Sequence, residues 1–324
     1  MRSILLSLFL VLSLLSYSQW QNVDSLYGPL PLSVKVFVTT QRIDTAPFKA
    51  YCVIADLGDK ALDFTTDTTL DRRATPAQFY AKNNKPLLVV NGTFFSFQTN
   101  RNLNAVIRNG KLLSGNVQTL AGKGKDTLTY RHTFPSAIGI SKKRKADVAW
   151  LYTDTVKMKA YAAQWPLQPL KDSTAAHSLK EMVTNTSLVN GHSSKLSPSL
   201  QKWKMQTAIG GGPVLVQNGA VQVTNNEELK FAGKAIHDKH PRTAMGYTAD
   251  NRLVILVIEG RSKGSGGATL VQTAQLLKDL GCVEALNLDG GGSSCLLVNG
   301  KETIRPSDKE GQRSVPAVFL IKKR

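Results

Sequence analysis

The chain is poor in cysteine: only Cys52, Cys282 and Cys295 occur in 324 residues. An odd set of three excludes a disulfide-stapled scaffold and leaves at least one thiol without an intrachain partner. Each is flanked by apolar residues, so all three read as core thiols, with a Cys282–Cys295 bridge the pairing left open in an oxidising compartment. Histidine is scarcer than such a length would suggest, at five residues, and no His-x-His or paired aspartate motif is present. A two-metal site is therefore poorly supplied. No cofactor is expected, although one divalent cation beside Asp289 stays open. Long apolar runs are absent after Leu15, so no later segment is long enough to cross a bilayer. Acidic residues are in deficit, 23 Asp plus Glu against 41 Lys plus Arg, for a formal charge of +18. Such a field attracts anionic partners. A basic stripe interleaved with aromatics is missing, as is any nucleic-acid motif, and nucleic acid is excluded as a partner. Hydrophobic content of 42% excludes disorder.

What is present begins with an export signal. Met1-Arg2-Ser3 precedes an apolar run from Ile4 to Leu15, and Ser16-Tyr17-Ser18 places small residues where a signal peptidase reads them. Residues 1–18 are expected to be removed before Gln19. No cysteine follows the run to carry a lipid, so the product is expected in the periplasm or outside the cell. Beyond it, β-rich runs recur at Val34–Val38, Tyr51–Leu57, Leu87–Asn91, Ala137–Ile140, Val148–Tyr152, Val214–Gln217 and Leu253–Glu259. Turn pairs at Asn109-Gly110, Asn218-Gly219, Asp250-Asn251 and Asn299-Gly300 make several strands antiparallel neighbours. Two helices are signalled. Thr75-Pro76 opens one through about Ala81. Leu270, Ala274, Leu277 and Leu280 line one face of another, closed by Gly281 and followed by a strand Val283–Leu288. From about residue 155 to 204 the pattern fades into Lys, Ser, Thr and Asn, which reads as an insertion or lid of the same domain. Residues 19–85 read as a strand-rich N-terminal region of that domain, and 86–324 as its main body.

Five segments can carry chemistry. In Asn287-Leu288-Asp289-Gly290-Gly291-Gly292-Ser293-Ser294 a carboxylate leaves a strand beside unshielded backbone amides that can converge on an anion. The plainer alternative is a glycine-rich turn with a solvated aspartate. His240-Pro241-Arg242-Thr243-Ala244 offers a guanidinium fork suited to phosphate oxygens, with His240 as a second donor on the same face; alone, such an arginine is usually a surface charge. Glu259-Gly260-Arg261 ends the very apolar run Leu253–Ile258, where sites are commonly built, or else closes a hairpin with an ion pair. Val89-Val90-Asn91-Gly92-Thr93-Phe94-Phe95 places an amide that can meet a sugar hydroxyl next to an aromatic wall, Phe94 or Phe95. Ile209-Gly210-Gly211-Gly212-Pro213 is a close-approach backbone segment before a hairpin.

In this order the segments resemble the phosphodiester glycosidase family, from about Pro86 to Leu320, with Gly211-Gly212-Pro213 and Asp289-Gly290-Gly291-Gly292-Ser293 the most specific. Family members often have aspartate where this chain has Glu259. The resemblance implies an α+β fold with a mixed, largely antiparallel sheet and flanking helices, with the site where the strands ending at Asn91, Glu259 and Asp289 converge. It implies a hydrolase that cleaves the glycosidic bond of a sugar-1-phosphodiester, N-acetylglucosamine being a sugar the family handles. Asp289 and Glu259 are then the catalytic carboxylates. Asn91, His240, Arg242, Arg261, Gly290, Gly291, Gly292 and Ser293 bind an anionic glycan or glycosyl-phosphate substrate. A phosphomonoester departs as a dianion, its second pKa being about 6, so neutralising charge matters more than protonation. Two rival readings use the same residues: a secreted glycan-binding module without turnover, and a metal-dependent phosphodiesterase that cleaves P–O.

Overall fold

The computed structural model describes residues 19–173, 175 and 200–324. The expected signal peptide and the middle of the polar stretch lie outside the described residues. Among those described, every strand pairing is antiparallel. The expected mixed sheet is thus corrected to an antiparallel, sheet-rich fold. The physical reason is visible at the turns: Asn109-Gly110, Asn218-Gly219 and Asn299-Gly300 all hold positive φ, as does Asn251, the conformation that returns a strand directly beside its predecessor.

An eight-stranded sheet forms the centre, running in the order Gln21–Asn22, Val34–Thr39, Ala50–Asp56, Arg252–Ile258, Arg242–Thr248, Cys282–Asn287, Val214–Gln217 and Ala220–Val221. Alternation along Arg252–Ile258 divides the core. Leu253, Ile255 and Val257 face a large cluster shared with Phe134, Trp150, Ile209 and Phe319, whereas Val254, Leu256 and Ile258 face a second cluster with Leu270, Ala274 and Leu277. Both faces are therefore covered, which is why this run reads as continuously apolar. The cover on the second face is the helix Leu270–Asp279, closed at its start by a capping box between Thr269 and Gln272. The same device, Thr75 with Gln78, opens the helix Pro76–Lys82.

A five-stranded sheet contains Leu62–Thr68, Leu88–Asn91, Leu296–Val298, Lys301–Glu302 and Ala317–Lys323. Residues before 85 thus contribute strands to both of these sheets. A seven-stranded sheet includes Ser136–Ile140, Ala146–Asp154, Lys159–Ala163, Gln201–Lys202 and Thr207–Gly210. The described ends of the polar stretch are therefore sheet strands, and Trp203 is buried among them while Trp165 is exposed. The lid reading does not fit those ends: short alternating runs such as Lys159–Ala163 are supported by their strand neighbours and need no core of their own. All three cysteines are buried free thiols, with no Cys282–Cys295 bridge.

Candidate functional site

Strand register brings the sequence-distant segments to one end of three central strands. Arg242, the first residue of its strand, pairs with Ile258 at the end of one neighbour, and Ala244 pairs with Asn287 at the end of the other. The chain therefore exits toward Glu259 and Asp289 where Arg242 enters. The five-stranded sheet arrives at the same place: the Asp289 amide donates to the Gly92 carbonyl at 2.9 Å, and Asn91 Nδ2 donates to the Asp289 carbonyl at 2.7 Å. Asn91 Oδ1 accepts from the Thr243 hydroxyl at 2.8 Å and the Cys295 amide at 3.0 Å. With 0% exposure, Asn91 does not reach a sugar; it ties three strands together behind the site. The Gly211–Pro213 segment supports the loop from the other side. Gly212 N–H donates to the Asn287 carbonyl at 2.7 Å, and a Cβ on Gly211 would stand 2.3 Å from that same oxygen, so only glycine permits the approach.

Asp289 is partly exposed as a residue, yet its carboxyl faces inward. Withdrawal from water pushes it from the ordinary 3.8 up to about 6, against the opposing pull of the Ser293 hydroxyl, Arg313, the Gly290 amide and Lys230. Two of the three glycine amides expected to hold phosphate are already committed, Gly290 to the Asp289 carboxylate and Gly291 to the Pro241 carbonyl at 2.8 Å. Gly292 serves by being small. Any Cβ there would sit 2.1 Å from Asp308 Oδ1 and 2.3 Å from Arg313 Nη2. Ser293 is buried and bonds the Asp289 carboxylate, with Arg313 Nη1 3.4 Å from its hydroxyl.

Around this carboxyl the side chains are cationic. Arg242 is 2% exposed, and among the described residues no carboxylate lies within ion-pair distance of it. Its Nε donates to the Ala268 carbonyl at 3.0 Å and its Nη2 to the Asp238 carbonyl at 3.1 Å. Burial, reinforced by Arg261, lowers it to about 10. A buried guanidinium without a counter-ion is costly, and an incoming anion relieves that cost. Arg261, exposed and at φ 58, reaches back with Nη2 3.5 Å from His240 Nδ1 and 3.3 Å from where a Gly291 Cβ would lie. Burial, then Arg242 and Arg261, push His240 below its ordinary value. It is neutral at pH 7 and can donate one hydrogen bond.

Glu259 differs from Asp289. It is 7% exposed, and its carboxylate accepts from the Ser262 hydroxyl at 3.2 Å and the Arg305 amide at 3.1 Å. Those bonds anchor the Arg261 turn to the 305–313 loop. Of the aromatics, Phe95 is buried in a satellite core, whereas Phe94 is half-buried and meets Phe231 edge-on at 5.9 Å. Arg242 lies 5.7 Å over the Phe231 ring and Lys230 4.6 Å over Phe94.

Sequence reasoning missed four residues here. Arg313 grips Asp308 through two 2.7 Å bonds and faces Asp289. Glu228 and Lys230 lie beneath the site. The segment Arg305–Arg313 carries only a loop signal, and Asn225-Asn226-Glu227-Glu228-Leu229-Lys230 looks like any solvated turn. Nothing local distinguishes them. Among the described residues no group of three or more His, Cys, Asp or Glu gathers around a point.

At the ends of three central strands, a carboxyl raised toward neutrality thus lies near Arg242, for which no carboxylate stands within ion-pair distance among the described residues. Comparison with known sequences supplies the class. The chain belongs to the phosphodiester glycosidase family, whose model it matches over residues 84–322. It is 32% identical over 102 residues, 29% of this chain and 20% of the relative, to the human N-acetylglucosamine-1-phosphodiester alpha-N-acetylglucosaminidase. It is 46% identical over 70 residues, 22% of this chain, to the uncharacterized prophage-derived protein YomE of Bacillus subtilis. The match spans only 11% to 20% of the length of these curated relatives. The catalytic domain of the zebrafish N-acetylglucosamine-1-phosphodiester alpha-N-acetylglucosaminidase shares the fold, with a TM-score of 0.59 and 18% identity, over 94% of this chain and 88% of that one. A hypothetical protein from Synechocystis does so at TM-score 0.61 and 15% identity, over 94% of this chain and 64% of that one.

Proposed function

We propose that this protein is an exported hydrolase that cleaves the glycosidic bond of a sugar-1-phosphodiester, releasing free sugar and a phosphomonoester. The observation that carries the reading is that Asp289, raised to about 6, shares the strand ends with Arg242, a buried cation with no carboxylate within ion-pair distance among the described residues. As the bond between the anomeric carbon and the phosphate oxygen breaks, its electron pair passes to the phosphate, which leaves as a dianion. Arg242, Arg261 and neutral His240 take up the growing charge, so the bond breaks with little need for a proton. Asp289, largely ionised at pH 7, stabilises the oxocarbenium-like carbon or takes the proton of the water that attacks it. Glu259 holds the Arg261 turn, and Asn91 holds the strand ends. Export is supported by the Ile4–Leu15 run and periplasmic or extracellular placement follows from it. N-acetylglucosamine is the first sugar to test, given the names of the mammalian relatives.

Incubation with N-acetylglucosamine-1-phosphodiesters of both anomeric configurations tests the reading. Free sugar and a phosphomonoester are expected from one of them. Release of sugar-1-phosphate and an alcohol would mean P–O cleavage instead, and tight binding without turnover would make the chain a glycan-binding module.

A further inference from the structure

The buried guanidinium of Arg242 is held on three sides, and one of its supports has no part in the reaction as written. Nε and Nη2 donate to the Ala268 and Asp238 carbonyls at 3.0 and 3.1 Å. Nη1 has no partner among the described residues, and it is not one of the buried polar atoms left unpaired, so the small exposed part of this side chain includes it. Hydrogen bonds tolerate a range of angles, and two of them leave the guanidinium room to tilt. The third support is a ring. Phe231 lies under the guanidinium, with Arg242 Cζ 5.7 Å from the ring centre, where a cation meets the negative face of an aromatic. Phe231 is itself placed through its backbone. Asn225, 5% exposed, donates from Nδ2 to the Phe231 carbonyl at 2.9 Å, and its Oδ1 accepts from the Phe231 amide at 2.9 Å. One side-chain amide thus closes the loop 225–231, which turns at Leu229 with φ 49. Phe94, from the loop after the strand Leu88–Asn91, meets the ring edge-on at 5.9 Å and 69°. The plainer account is packing of the core, but Phe231 is only half-buried, stands at the margin of the second cluster and faces a cation.

We propose that Phe231 is a positioning residue for Arg242: its ring, latched by Asn225, fixes the plane of the guanidinium so that Nη1 is presented to the anionic group of the substrate. The proposal rests on the reading of Arg242 as the phosphate's partner. Phe231 and the Asp238 carbonyl come from one stretch of chain, residues 225–238, which therefore supplies two of the three supports. The ring keeps water from the face of the guanidinium that it covers, and the charge is less screened toward a ligand. With every support in place beforehand, a long side chain need not be ordered when the anion arrives.

The test is the binding of methyl phosphate, measured by calorimetric titration, to wild type, Phe231→Ala, Arg242→Lys and the double variant. Truncating the ring should weaken binding by about 10-fold with arginine at 242, within the range of a shielded cation–π contact. With lysine there the loss should stay below about twofold, because an ammonium has no plane for the ring to hold. Phe231→Tyr, which keeps the ring face, should bind as wild type does. Phe231→Leu, which keeps apolar bulk without that face, should be as weak as Phe231→Ala and takes its place in the cycle if the alanine variant does not fold, as melts without ligand will show. An affinity unchanged by alanine or leucine, a tyrosine variant as weak as the alanine one, or equal losses with arginine and with lysine at 242 overturns the proposal. Binding needs no turnover, so a wild type that takes up methyl phosphate yet cleaves no sugar phosphodiester sinks the proposed function and leaves the cycle readable. A wild type that takes up none refutes the partnership of Arg242 with phosphate, and the role of the ring with it. Where turnover is found, Phe231→Leu should lower kcat on a glycosyl-phosphate diester by a similar factor and spare an aryl glycoside of the same sugar.

Discussion

Replacing Asp289 by Asn should destroy activity and stabilise the protein, and the pH at which the stabilisation appears follows from the geometry. In the folded chain the carboxyl sits at about 6, against 3.8 when solvated. A carboxyl raised on folding contributes stability that is complete below pH 3.8 and is lost as pH climbs through 6. The gap corresponds to about 3 kcal/mol of folding free energy given up by pH 8. Asparagine has the same shape and carries no charge to desolvate, so Asp289→Asn recovers that energy at pH 8 and none of it at pH 3.5. For a chain of this size the melting temperature at pH 8 should rise by on the order of 5 °C, with no rise at the acidic end. Turnover of a glycosyl-phosphate diester should fall by roughly 100-fold or more, the scale of a lost acid–base group. Thermal melts at the two pH values and a phosphomonoester-release assay on the same preparations measure both effects. A variant that is less stable at pH 8 refutes the desolvated-carboxyl account; one with wild-type turnover refutes the catalytic assignment.

Wild-type kcat/KM should rise with pH through an acidic limb near 6, since the ionised form of Asp289 works; a pH profile flat from 5 to 7 would count against it. Arg242→Lys keeps a positive charge but cannot span both the Ala268 and Asp238 carbonyls. It should lower kcat on a glycosyl-phosphate diester by about 2–4 kcal/mol of transition-state stabilisation while sparing an aryl glycoside of the same sugar; equal losses on both substrates would mean it is not the phosphate's partner. Glu259→Gln keeps one oxygen for the Arg305 N–H but turns an NH2 toward the Ser262 hydroxyl in place of an acceptor, and should cost about 1 kcal/mol of stability with a raised KM, which denaturant melts and steady-state kinetics separate from a collapse of kcat alone. Gly292→Ala forces a methyl into the Asp308–Arg313 pair and should abolish turnover with the fold retained by circular dichroism; unimpaired turnover would show that the 305–313 loop is not part of the site.

The sequence by itself determined several of the main elements and the glycine-rich turn that follows the strand Cys282–Asn287. The helix expected from Thr269 is present as Leu270–Asp279 because its cap, its apolar stripe and the closing Gly281 at φ 83 all act within a few residues. The run Leu253–Glu259 forms the strand Arg252–Ile258 because apolar residues on both faces leave no other way to bury it. Gly290 and Gly291 fall beside Arg242 and Arg261. Roles were less legible than positions. Asn91 and Glu259 carry the same polar atoms whether they meet a substrate or a neighbouring strand, and only packing from other elements decided for the latter. Arg313 meets Ser293 across twenty residues and Lys230 meets Asn104 across 126, where no local pattern records the partner. The rise of Asp289 to about 6 likewise belongs to no segment: it is the loss of water produced when the Asn91 strand end, the Gly212 hairpin and the 305–313 loop close around one carboxyl, and desolvation is a property of the assembled surroundings.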